Sequence, residues 1–204
     1  MFSGRKFEVA ITRSLSNQGL RWPERGEASN ERNLGCNRAY VDLRGLTWND
    51  AQRLFELETS LIERIEAATD PDAEREQIEE ELYEDDEGLF GLDIGVAAAT
   101  VALCAAKCVT CSSCNAGAYG GSHHESYPVV AFFAKPQHVE PLLKCAEEAG
   151  IGLENVDGMV IAFASDIRNM RSFAGALIRG HATFQAVARN KRNDRSPGPS
   201  PGLS

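Results

Sequence analysis

Apolar residues recur at three- and four-residue steps from Leu54 through Leu57, Leu61 and Ile65, with Phe55 and Ile62 beside them. That spacing predicts a helix that buries one face. Thr47 stands three residues before Asp50, a shortened capping-box pattern in which side chains satisfy the first free backbone N–H groups, so the helix opens there. Asp70-Pro71 restarts a helix, with Asp as cap and Pro in the first turn, where its missing N–H costs nothing. Its apolar anchors are Ile78, Leu82 and Tyr83, which predicts an exposed acidic helix over 71–87 fraying toward Gly88. Asp93 is expected to cap a third helix from Ile94 to about Lys107, apolar nearly all round and therefore central and buried.

Downstream the pattern changes period. Val129 to Ala134 is a continuous apolar run of strand length. Pro136 begins a helix carrying Val139, Leu142, Leu143 and Ala146 on one side and ended by Gly150. Ile151–Asn155 and Met159–Phe163 flank Val156-Asp157-Gly158, a hairpin signal. Asp166 caps a last helix whose Ile167, Met170, Ala174, Leu177 and Ile178 line one face, with Gly180 beyond it. Upstream, Phe7–Ile11 alternates as a short strand. Ser14–Cys36 reads as a polar loop punctuated by glycine and proline, and Ala39–Leu43 as a second short strand.

The order helix, strand, helix, hairpin, helix implies an α+β fold, its helices packed on a small mixed, largely antiparallel sheet. The expected organisation is an N-terminal extension over 1–46, a single α+β domain over 47–188 and a tail over 189–204. That tail has no apolar period and is expected to be disordered. No internal repeat is visible.

Composition narrows the class. A chain of 204 residues with 43% hydrophobic and 25% charged content has the makeup of a soluble globular protein. Its net charge of −9 is concentrated in Asp70–Glu87, where eleven carboxylates face one base, Arg75. An acidic chain with only a short basic stretch, Arg189–Arg195, makes no electrostatic case for nucleic-acid binding. The longest apolar run, Ile94–Ala106, is shorter than the ~20 residues that a membrane span needs. Met1–Leu15 lacks the apolar core of an export signal, so the expected compartment is the cytoplasm. Thiols are then reduced, and a cysteine cluster points to metal or catalysis before disulfides.

The cluster is CAAKCVTCSSCNAG, residues 104–117, holding Cys104, Cys108, Cys111 and Cys114. Zinc is one reading: Cys111 and Cys114 with His123 or His124 offer soft and imidazole ligands for a tetrahedral site. The spacing of Cys104, Cys108 and Cys111 is also that of radical-SAM iron–sulfur sites. The residue before the third cysteine is Thr110 rather than an aromatic, and the chain that follows is too short for the usual barrel. A third reading is a ligand or catalytic loop. Thr110–Cys114, TCSSC, resembles the T-x-S-S-C loop of the tRNA wybutosine-synthesising methyltransferase family over a short stretch. That family continues with Ser-Gly and a basic residue, where Asn115-Ala116-Gly117 stands here, so the resemblance implies a design rather than an activity. Hydroxyls, a thiol and backbone N–H groups are presented at a helix–loop–strand junction.

Against these stands a structural reading. Free cysteine behaves as a small hydrophobe, and Cys36, Cys104 and Cys145 are expected to fill space. The ligand-binding candidates are accordingly Ser112, Ser113, Cys114 and Asn115. The catalytic candidates are Cys114 as thiolate and His123 or His124 as acid/base, with Glu125 as a possible orienting group. His138 and His181 read as surface residues. No nucleophile-elbow, phosphate-loop, dinucleotide-binding or zinc-protease motif occurs. Two functions follow as expectations. The first is a cytoplasmic protein with a polar Cys/Ser/His pocket that binds a small molecule or metal, zinc being the metal that suits it. The other is a non-catalytic interaction protein that meets a protein partner through the acidic helix 71–87 and the helix starting at Thr47.

Overall fold

The computed structural model describes residues 6–24, 41–84, 88–120 and 124–193. Six helices, α1 (Trp48–Ala67), α2 (Pro71–Glu84), α3 (Ala97–Ala105), α4 (Val139–Ala149), α5 (Ile167–Arg179) and α6 (His181–Asn193), pack against a four-stranded sheet. The strands are β1 (Val109–Cys114), β2 (Val129–Phe133), β3 (Gly152–Val156) and β4 (Met159–Phe163), in the spatial order β1-β2-β4-β3. All three ladders are antiparallel, and the sheet is open. An isolated parallel bridge from Arg13 to Leu153, at the β3 edge, adds the mixed character. This is the α+β architecture that the sequence predicts.

The amphipathic helices form where their periodicity places them. In α1, Leu54, Leu61, Ile62 and Ile65 are buried. Its capping box is complete, the Thr47 N–H donating to Asp50 Oδ2 at 2.7 Å and the Asp50 N–H to Thr47 Oγ1 at 3.4 Å. Asp70 caps α2 through Ala73, and Asp166 caps α5 through Arg168. The β3–β4 hairpin turns at Asp157-Gly158, with φ of 51° and 88°, as a two-residue turn with two left-handed positions requires. Gly158 is also needed for space: a Cβ there would lie 2.6 Å from that of Arg21, whose N–H donates to the Gly158 carbonyl.

The sheet has two unlike faces. Val130, Phe132, Leu153, Val160 and Ala162 point into the main core beneath the helices. On the other face, Cys114, Val129 and Phe163 gather with Val9, Ile11 and Tyr127, while Val109, Cys111 and Phe133 gather with Met159. The segment 6–24 therefore covers part of the outer face, hydrogen-bonded through Phe7 to Ser165 and through Ser14 to Leu153. It carries isolated bridges rather than the expected strand at Phe7–Ile11. Of the other expected strand, Val41–Leu43 is not extended pairing, and residues 39 and 40 lie outside the described residues.

Three further departures bear on the site. Residues 109–114, expected as a loop, are the edge strand β1. Thr, Ser and Cys carry a weak strand signal, and one extra residue between Thr110 and Ser112 breaks the alternation that would have revealed it. The buried helix begins at Ala97 rather than Ile94, and Asp93 does not cap it. His138, expected on the surface, is 2% exposed. α6 continues to Asn193, while the end of the acidic segment (85–87) and residues 194–204 lie outside the described residues.

Candidate functional site

The junction between α3 and β1 holds a buried polar cluster of cysteine, threonine and histidine. Cys104, at the end of α3, lies 3.1 Å from the Thr110 hydroxyl. Cys108 Sγ lies 3.7 Å from His138 Nδ1, and the same nitrogen accepts the Lys135 N–H at 3.4 Å. An Nδ1 that accepts from backbone is unprotonated, so the Cys108 thiol is the donor in this pair. Burial pushes the Cys108 thiol far above its ordinary range, and it also raises Cys104. Neither sulfur is a thiolate nucleophile. The space-filling reading describes Cys104 and Cys145: both are buried, and burial pushes Cys145 up to about 11. Cys36 lies outside the described residues.

The zinc expectation is overturned. Among the described residues no group of three or more His, Cys, Asp or Glu is placed to hold a metal ion. The physical reason is the strand. Cys111 packs with Val109 and Phe133, its Sγ 3.9 Å from Met159 Sδ, whereas Cys114 belongs to the separate cluster with Val129 and Phe163. His124 is exposed, and His123 lies outside the described residues. Cys111, Cys114 and His124 are not assembled into one centre. The cysteine-rich segment is a paired strand.

The interaction surface is corrected too. Among the described residues the large exposed apolar side chains are Trp22, Val41 and Val156, none of them on α1 or α2. The charges of α2 are partly answered within the fold, Arg64 of α1 bridging Glu74 at 2.8 Å and Glu81 at 2.7 Å. Among the described residues no exposed aromatic or apolar cluster stands on α1 or α2. No helix among the described residues is long and apolar enough to cross a membrane.

The edge of β1 opens instead onto a cleft of about 150 Å³. Val41, Leu43, Phe90 and Leu92 give it an apolar wall. Thr100, Thr110, Ser112 and Ser113 also line it, and among the described residues Asp93 is its one charged lining residue. Two of those hydroxyls are committed: Thr100 donates to the Val96 carbonyl at 2.8 Å, and Thr110 faces Cys104. The hydroxyls of Ser112 and Ser113 have no hydrogen-bond partner among the described residues. Since β1 ends the sheet, its outer backbone edge also lacks a strand neighbour among them. Phe90 sits in the left-handed region, φ 55°, a conformation that costs a bulky L-residue roughly 1–2 kcal/mol. Strain of this kind concentrates at functional positions.

Of the expected ligand-binding residues, Ser112 and Ser113 line the cleft. Cys114 and Asn115 do not. Asn115 is buried and ties two segments together, its Nδ2 donating to the Ile94 carbonyl at 3.0 Å and its Oδ1 accepting the Gly117 N–H at 2.8 Å. Cys114 Sγ accepts the Ala116 N–H at 3.4 Å. Sequence reasoning missed Asp93 as a cleft residue, Phe90, His138 and Glu58. Only Glu58 left a signal: it falls four residues after Leu54 and three before Leu61, a carboxylate inside the apolar stripe of α1. No family model, curated protein or solved structure matches the chain.

Proposed function

We propose that the protein binds a small uncharged or cationic molecule in the cleft beside β1. The observation that carries this reading is the Ser113 hydroxyl, on the core-facing side of β1 opposite Val130, which has no hydrogen-bond partner among the described residues in a wall whose neighbouring hydroxyls are already hydrogen-bonded. Ligand sites combine an apolar lining with a few convergent polar groups, and this cleft has both. Charge selects the ligand class. Among the described residues Asp93 is the one charged lining residue and no Lys, Arg or His lines the cleft, so a phosphate or carboxylate would meet repulsion there without a counter-ion. An amine or hydroxyl on a short apolar body meets Asp93 and the serines with its polar end, and Phe90, Leu43 and Val41 with the rest.

A thermal-shift series with benzylamine, benzyl alcohol and benzoate tests the reading. Benzylamine should stabilise the protein most, benzyl alcohol less and benzoate not at all, and Ser113→Leu, which fills the cleft, should abolish every shift. Equal shifts for amine and carboxylate would refute the charge argument. Shifts that survive Ser113→Leu would refute the site.

A further inference from the structure

Glu58 is a carboxylate in the middle of the apolar core, fully buried, and the binding reading makes no use of it. Its Oε1 accepts the N–H groups of Gly95 and Ala97, each at 2.9 Å, and its Oε2 accepts that of Ala98 at 3.4 Å. Ala97 and Ala98 carry free donors of the first turn of α3, and Gly95 lies just before its N-cap residue, Val96, which supplies no side-chain bond. A residue of α1 therefore caps another helix from below. The three donors and the positive end of α3 favour the anion, while burial disfavours it more strongly and raises the carboxyl to about 7.

The ionisable groups facing this carboxylate are few. Arg171 reaches toward it from α5 and favours the charged form. Tyr119, in the turn after β1, is raised mainly by burial, then by Glu66 and least by the Glu58 charge, and its hydroxyl donates to Glu66 at 3.3 Å. The near end of α3 is alanine and presents no titratable group.

The stretch that Glu58 holds continues into the cleft wall. Val96 donates to the Asp93 carbonyl at 3.3 Å, and Leu92 to that of Leu89 at 3.0 Å. Asp93 Oδ2 accepts the Asn115 N–H at 3.4 Å, at the end of β1. One short segment is thus tied to Glu58 on one side and to β1 on the other, and it presents Phe90, Leu92 and Asp93 to the cleft. An ionised Glu58 satisfies three donors. Protonation removes the charge that strengthens these bonds and places an O–H on the carboxyl, most readily on Oε2 beside the long Ala98 contact, so the grip on the three donors weakens.

We propose that Glu58 is a positioning residue for the cleft: its carboxylate, by gripping Gly95, Ala97 and Ala98, sets the Phe90–Asp93 wall opposite Ser112 and Ser113, and proton uptake on it loosens that wall. The coupling rests on the protein's own hydrogen bonds and holds whether or not a ligand enters. Amide and side-chain carboxyl NMR spectra of the full chain, recorded across about pH 5 to 9, test it. The Glu58 carboxyl should titrate, and the amides of Gly95, Ala97, Gly91, Leu92 and Ser113 should move with the same midpoint. In Glu58→Gln those steps should vanish. Cleft amides that stay still while Gly95 moves, or steps that persist in the variant, would overturn the proposal. Should the variant not fold, the wild-type midpoints alone decide: agreement supports the coupling, and a separation of more than about one pH unit overturns it.

Discussion

Two sets of polar groups in this fold are treated in opposite ways. Beneath α3, Glu58 has three backbone donors, Thr100 and Thr110 have partners, and Asn115 uses both ends of its amide. Polar groups in that region are consumed by the fold, as burial demands. Along the edge of β1, the hydroxyls of Ser112 and Ser113 have no hydrogen-bond partner among the described residues, and an apolar wall with a strained Phe90 lies beside them. The difference separates polar atoms that build the structure from polar atoms left for something outside it. It also shows why cysteine, the residue type that dominates this part of the sequence, belongs to the first group rather than the second.

The comparison can be broken hardest at Glu58. Glu58→Ala strands three N–H groups in the core and should cost about 4 kcal/mol in urea unfolding. A loss below about 1 kcal/mol would mean that the carboxylate is not the cap of α3.

The pH dependence is next in size. Glu58 titrates at about 7 when folded, above its ordinary 4.5, so the folded state holds the proton more tightly. Its stabilisation is fully present below about 4.5 and is lost as the pH rises through 7, worth about 3 kcal/mol over that window. Asp50 and Asp166 act with the opposite sign: hydrogen bonds to Thr47 and Arg168, respectively, hold both below the ordinary 3.8. Their stabilisation is present above that value and fades as the pH falls through the lowered ones. Unfolding free energies measured from pH 4 to 8 should therefore decline toward the alkaline end in the wild type and lose most of that decline in Glu58→Gln.

Thr47→Ala, which removes one half of the α1 capping box, should cost about 1 kcal/mol in the same assay. At the other extreme, Ser112→Ala and Ser113→Ala should change stability by less than about 0.5 kcal/mol, because their hydroxyls have no hydrogen-bond partner among the described residues. A larger loss at either serine would erase the distinction between the two regions.

Much of the fold is legible in the sequence because its elements announce themselves by period and punctuation. The apolar stripe of α1, the Pro136 helix ending at Gly150 and the Asp157-Gly158 turn each combine a pattern with a stop signal. β1 lacks both. Its small polar residues resemble a loop, and the extra residue at Cys111 spoils the alternation on which strand recognition depends. The site follows the same division. Ser112 and Ser113 drew attention as hydroxyls near a cysteine cluster, whereas Asp93 and Phe90 reach the cleft only through a turn preceding α3, which no local period encodes. The zinc expectation failed because spacing along the chain was read as proximity: in a strand, Cys111 and Cys114 join separate apolar clusters.

A crystal structure of the protein soaked with benzylamine tests the central claim most directly. The account predicts electron density between Phe90 and Ser113, with the amine nitrogen within hydrogen-bond distance of the Asp93 carboxylate and of a serine hydroxyl. Benzylamine bound only elsewhere, or a cleft occupied by water alone at saturating ligand, would contradict it.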